Sequence, residues 1–201
     1  VRAHGGTIIL SAKAMSHLVS GVINQTGTLD VGGDAFNVVK VGGRVFLGGD
    51  QVTLAQNSVI DAAAPEAGGE VTIEADQLIA DATSVIDVSA TQQGNGGAIH
   101  IAAVDAELNG TMLAMGGAIS GDGGQINIAS DNLVTAESTT LQAGSQTEMG
   151  APGHITIETN TAETSAQVVN VINQSIASAN VTVVTDHAFN FDATSLINKT
   201  S

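Results

Sequence analysis

Three aspartates recur at one place in a repeated apolar run: Leu29-Asp30-Val31, Ile60-Asp61-Ala62 and Ile86-Asp87-Val88. Carboxylates stacked at a regular interval could hold Ca²⁺, which takes oxygen ligands. The row of acids is interrupted at Ala114 and Gln142, and no tandem Gly-Gly-x-Gly-x-Asp nonapeptide occurs. Solvated turn carboxylates are therefore the preferred reading of Asp30, Asp61 and Asp87, and neither a metal nor another cofactor is expected. Paired carboxylates also cleave glycosides. A groove built for that chemistry normally carries aromatic platforms or basic residues as well. Here four Phe and five Lys or Arg are scattered along 201 residues, so no catalytic residue is assigned and no enzyme is expected. The histidines are His4, His17, His100, His154 and His187. No two have metal-site spacing, and surface His is the preferred reading. His100 and His154 fall at different offsets of a repeat and are expected on different faces. There is no Gly-x-Ser-x-Gly elbow and no phosphate-binding loop. Asn-x-Ser/Thr triplets at Asn24, Asn109, Asn173, Asn180 and Asn198 are only a mild excess over chance and assign no glycosylation.

The elements that position these residues are written six times. Gly5-Gly6-Thr7-Ile8-Ile9-Leu10 returns as Gly42-Gly43-Arg44-Val45-Phe46-Leu47, Gly68-Gly69-Glu70-Val71-Thr72-Ile73, Gly96-Gly97-Ala98-Ile99-His100-Ile101 and Gly123-Gly124-Gln125-Ile126-Asn127-Ile128. The last copy is Pro152-Gly153-His154-Ile155-Thr156-Ile157. Two glycines are expected to turn the chain. Two apolar residues two apart then share one face of a strand. Val45, Leu47, Val71, Ile73, Ile99, Ile101, Ile126, Ile128, Ile155 and Ile157 are the expected core. The second glycines stand at 6, 43, 69, 97, 124 and 153, so the steps are 37, 26, 28, 27 and 29 residues. A period in the range of about 20–50 residues is the mark of a repeat architecture.

Each period holds two further apolar runs, such as Gln77-Leu78-Ile79-Ala80 and Ser84-Val85-Ile86-Asp87-Val88. Three short strands per coil of 26–29 residues fit an all-β solenoid, a parallel β-helix. Residues 1–160 are assigned to its coils, with an inserted loop or hairpin at 32–41 in the long first period. Residues 161–201 are assigned to a short helix and further strands that continue or cap the solenoid. Val168, Ile172 and Ile176 have helical spacing, and the helix is placed near 165–178. Asn180-Val181-Thr182-Val183-Val184-Thr185 returns to strand alternation.

Net charge is −15 and there is no Cys. Disulfides and thiolate metal sites are excluded, and nucleic acid is not an expected partner, since phosphates need basic residues. The acidity suits a long β-surface that stays apart from its copies. No stretch approaches 18 apolar residues. The chain opens at Val1 rather than Met and reads as a processed piece or an excerpt of something longer.

The coil Gly-Gly-x-Val-x-Leu, a middle strand, then Ser58-Val59-Ile60-Asp61-Ala62 resembles the coils of filamentous haemagglutinin-like exoproteins of Gram-negative bacteria, the large secreted members of two-partner secretion systems. The segment Val171-Ile172-Asn173-Gln174-Ser175-Ile176 with Asn180-Val181-Thr182-Val183-Val184-Thr185 resembles a helix-then-strand module that recurs in them. The likeness covers about residues 5–185. It implies a right-handed β-helix, exported through an outer-membrane two-partner transporter and placed outside the cell or on its surface. Such proteins serve as adhesins, biofilm factors, cytolysins or toxin-delivery stalks, and their partners are host or neighbouring cell surfaces or carbohydrate. The reading is a structural rod section of such an adhesin. The alternatives are an extracellular filament subunit that self-associates end to end, and a β-helix enzyme acting on polysaccharide.

Overall fold

A computed structural model describes residues 1–12, 21–33, 40–136, 138–160 and 179–184. Among these residues thirteen strands follow in chain order: β1 (Thr7–Ala12), β2 (Val22–Gln25), β3 (Thr28–Asp30), β4 (Arg44–Leu54), β5 (Val59–Asp61), β6 (Glu70–Ala80), β7 (Val85–Asp87), β8 (Ala98–Leu108), β9 (Thr111–Leu113), β10 (Gln125–Thr135), β11 (Thr140–Gln142), β12 (His154–Thr159) and β13 (Asn180–Val184). They form two parallel sheets. One runs β1-β4-β6-β8-β10-β12-β13, with β2 also paired to β4, and the other runs β3-β5-β7-β9-β11. Every strand pairs with its equivalent in the next coil, which is the solenoid. Among the described residues there is no helix. The helix expected at 165–178 lies outside the described residues, as do positions 34–39 of the expected insertion at 32–41. Val41, at its far end, bridges to Ala67 of the next coil.

Each coil carries three strand stretches. The first two are the arms of a single 11-residue strand in β4, β6, β8 and β10. The bend between the arms is visible in burial. In β6, Val71 and Ile73 face inward, Asp76 and Gln77 are both exposed, and Leu78 and Ala80 face inward again. Two consecutive outward residues turn a strand without breaking it, because they shift the inward set by one. The ladder skips the same place in every coil, between Ala75↔Ala103 and Gln77↔Asp105 for example.

The core is a set of columns along the axis. The register Val45↔Val71↔Ile99↔Ile126↔Ile155 is unbroken from β4 to β12, and so is Leu47↔Ile73↔Ile101↔Ile128↔Ile157. All ten side chains are at most 3% exposed. From β12 the columns continue onto Val181 and Val183 of β13. The third stretch adds Leu29, Ile60, Ile86, Met112 and Leu141, also buried. A coil has no other surface against which to bury these residues, so stacking does both jobs at once: it pairs the backbone and covers the apolar stripe.

Almost none of the glycines in these pairs uses left-handed backbone. Of Gly5, Gly6, Gly42, Gly43, Gly68, Gly69, Gly96, Gly97, Gly123, Gly124 and Gly153, only Gly5 has a positive φ, 64°. The second glycine of each pair instead closes its own coil. Its N–H donates to the carbonyl at the end of the third stretch, as in Gly69 N to Ala62 O (2.9 Å), Gly97 N to Val88 O (2.7 Å) and Gly124 N to Ala114 O (2.7 Å). What these positions require is the absence of a Cβ.

Candidate functional site

The sheet β3-β5-β7-β9-β11 brings Asp30, Asp61 and Asp87 into one column. The register is Arg2↔Asp30↔Asp61↔Asp87↔Leu113↔Gln142. It corrects the sequence reading at one point: the residue that interrupts the acids is Leu113, while Ala114 is buried in the core. Each aspartate accepts a hydrogen bond at Oδ1 from the N–H two residues on, Gly32 (3.2 Å), Ala63 (3.0 Å) and Ser89 (2.8 Å). This is a side-chain turn that ends the third stretch and starts the corner. At the next level, Ser89 Oγ accepts the Met115 N–H (3.1 Å). One end of the column is neutralised: Arg2 Nε lies 3.1 Å and His4 Nε2 3.3 Å from Asp30 Oδ2. Among the described residues no group of three or more His, Cys, Asp or Glu is placed to hold a metal ion.

Asp61 stands in the middle of this column, about 4.8 Å from each neighbouring level. Burial pushes its carboxyl above the usual 3.8, and the Asp30 and Asp87 charges push the same way, against the Ala63 N–H and His4. The folded chain therefore holds the Asp61 proton more tightly than the unfolded chain does. Stability falls as pH rises from the ordinary carboxylate value through the raised folded one. Asp61→Asn keeps an oxygen for Ala63 and removes the charge. The expected result is a stability gain of less than about 1 kcal/mol over the parent at neutral pH, read as a higher melting temperature, since the group is part-exposed. The gain vanishes in melts below pH 3.8, where the parent aspartate is neutral in both states.

A second set of polar groups lies on the outer face of the first arm. Two columns run Arg44↔Glu70↔Ala98↔Gln125↔His154 and Phe46↔Thr72↔His100↔Asn127↔Thr156. His100 and His154 therefore point outward from the same sheet, contrary to the expectation of different faces. Their offsets differ by two, and a step of two along a strand keeps the face. Arg44 Nε lies 3.0 Å from Glu70 Oε2, and His100 Nδ1 lies 3.1 Å from Asn127 Nδ2. Amide and acid side chains join successive levels in the same manner at the bend. Gln51 Nε2 donates to Gln77 Oε1 (2.9 Å), Asn132 Nδ2 to Asp105 Oδ1 (2.7 Å) and Asn160 Nδ2 to Asp131 Oδ1 (2.7 Å).

Along the bend runs a shallow groove of about 520 Å³. Glu74, Asp76, Asp131 and Glu158 are its acidic walls, and Ala102 and Ala129 belong to its floor. Among the described residues the lining contains no aromatic ring and no Lys or Arg. It presents carboxylates to solvent at intervals of one or more coils. The signal that could have found it is the repeat itself. Once the long strands are aligned at Glu70, Ala98, Gln125 and His154, these acids fall at two positions, Glu74 and Glu158 two residues before the bend and Asp76 and Asp131 in it. No protein-family profile, curated protein or solved structure matches this chain.

Proposed function

We infer that the chain is a structural rod section of a secreted bacterial surface adhesin of the filamentous haemagglutinin-like kind, a stiff spacer that presents other parts of a longer protein. The observation that carries the reading is the unbroken register of the inward columns from β1 to β13. Each coil is bonded along its strands to the next, so the body resists bending, and its length grows by about 4.8 Å per coil. The Gly-Gly-x-Val-x-Leu coils support the kinship. The charge of −15 supports a surface that repels its copies in solution. Export through a two-partner transporter and a place on the cell surface follow from the same kinship. The partner is then a host or neighbouring cell surface, or its carbohydrate, engaged by the protein that carries the rod.

Electron microscopy with small-angle scattering of the purified 201-residue chain at physiological salt tests the reading. Separate short rods are the expected result. Uniform long fibres with a constant axial repeat would overturn it in favour of an end-to-end filament subunit, whose working surfaces are the terminal coils.

A further inference from the structure

The sequence contains two Asn-Gly steps, Asn95-Gly96 and Asn109-Gly110. Asn-Gly is the step at which a chain most readily modifies itself, because glycine leaves its backbone nitrogen open to the preceding side chain. That nitrogen attacks the asparagine Cγ. The Cγ–Nδ2 bond breaks, ammonia leaves with the proton given up by the glycine nitrogen, and a five-membered succinimide forms. Water then adds to either ring carbonyl and opens it to aspartate or isoaspartate.

The fold treats the two steps differently. At Asn95 both reacting groups are tied to the adjacent coil. The Gly96 N–H donates to Asp122 O (3.0 Å), and Asn95 Oδ1 accepts the Asp122 N–H (2.9 Å). The backbone carbonyl of Asn95 also holds the Gly68 N–H (3.1 Å). Attack there requires opening of two coils. Asn109 and Gly110 instead form the whole two-residue turn from β8 to β9. The Gly110 N–H donates to no described group, and Asn109 Oδ1 accepts from none. The Asn109 side chain is half-exposed, so water reaches it. Its leaving nitrogen, Nδ2, donates to Glu107 Oε1 (2.8 Å), which fixes the amide beside an anionic acceptor.

We propose that Asn109 is a self-modification site, deamidating in the folded chain while Asn95 is protected. The product places a carboxylate against Glu107. In the isoaspartate form it adds a methylene to a turn whose ends are held by Asn109 N to Ala80 O (3.0 Å) and Thr140 N to Gly110 O (3.1 Å). The reaction would act as a slow timer on one coil of the rod.

The test is to age the purified folded chain at mildly alkaline pH and follow both sites by peptide mass mapping with isoaspartate labelling. A second sample is aged in urea. In the folded chain Asn109 should convert about tenfold or more faster than Asn95, because two hydrogen bonds must open before Asn95 reacts. In urea that difference should disappear. The proposal is overturned if Asn95 keeps pace with Asn109 in the folded chain. It is equally overturned if folded Asn109 stays intact over the time in which the unfolded chain converts it.

Discussion

Ile126→Asp is expected to lower the melting temperature of the chain by about 8–16 °C, the shift that a loss of about 4 kcal/mol produces in a protein of this size. Ile126 is wholly buried and sits between Ile99 and Ile155 of the neighbouring coils. The substitution removes about 1.5–3 kcal/mol of apolar burial. It also sets a carboxyl among aliphatic side chains with no partner, which costs more than the lost burial alone. Both faces of the β10 coil are affected, its contact with β8 and its contact with β12. In a solenoid, stability is close to a sum of coil and interface contributions, so damage to two interfaces propagates along the axis. Thr72→Asp is the control. Thr72 lies on the outward column between Phe46 and His100 and is half-buried. An outward carboxylate there should change stability by no more than about 0.5 kcal/mol. Circular dichroism melts of the two variants decide the matter, and equal melts would refute the inward register of β10.

That register follows from simple features of the sequence. Val or Ile, one residue, then Ile or Leu after a glycine pair is a two-residue period, and a period of two has only one inward set. The second and third apolar runs were readable for the same reason. What was less readable depends on coil-to-coil differences in length. The turn from β6 to β7 has four residues, 81–84, whereas that from β8 to β9 has two, 109–110. Counting 18 residues on from the second glycine reaches Asp61 and Asp87 but Met115 in the next coil, past the acid column, and the expected interruption at Ala114 lies one residue beyond the true one, Leu113. The bend inside the long strands was hidden as well. It uses neither Gly nor Pro in β6, only Asp76 and Gln77 turned outward together. The groove walls, which stand in the bend and just before it, were missed with it. Arg2 offered no spacing to read, because it belongs to a stretch with no glycine pair ahead of it, yet it stands directly below Asp30.

Gly97→Ala should destabilise the chain by about 3 kcal/mol, at the upper end of what overpacking usually costs, although alanine is the mildest change a glycine can undergo. The reason is contact rather than conformation. Gly97 does not have a positive φ, so alanine meets no backbone penalty there. Its Cβ would instead stand 1.9 Å from Gly69 O, with the Gly68 and Gly69 carbonyl carbons at 2.8 and 2.9 Å. All three are backbone atoms, and Gly69 O cannot withdraw freely because it accepts the Ala98 N–H (3.0 Å). Moving the coil away would break that bond and strain the closure from Gly97 N to Val88 O (2.7 Å). The same crowding stands one level up, where a Cβ on Gly124 would meet Gly97 O at 2.1 Å, so the strain is not relieved along the axis. Gly27→Ala separates this from any general cost of losing a glycine. No described residue lies within 4 Å of a Cβ there, and its φ is not positive. The unfolded chain loses freedom, and stability should hold or rise by about 0.4–1 kcal/mol. Urea midpoints of the two alanine variants measure the contrast. A Gly97→Ala midpoint equal to that of the parent would mean that the corner can open, and that the glycine pairs are not what sets how closely the coils stack.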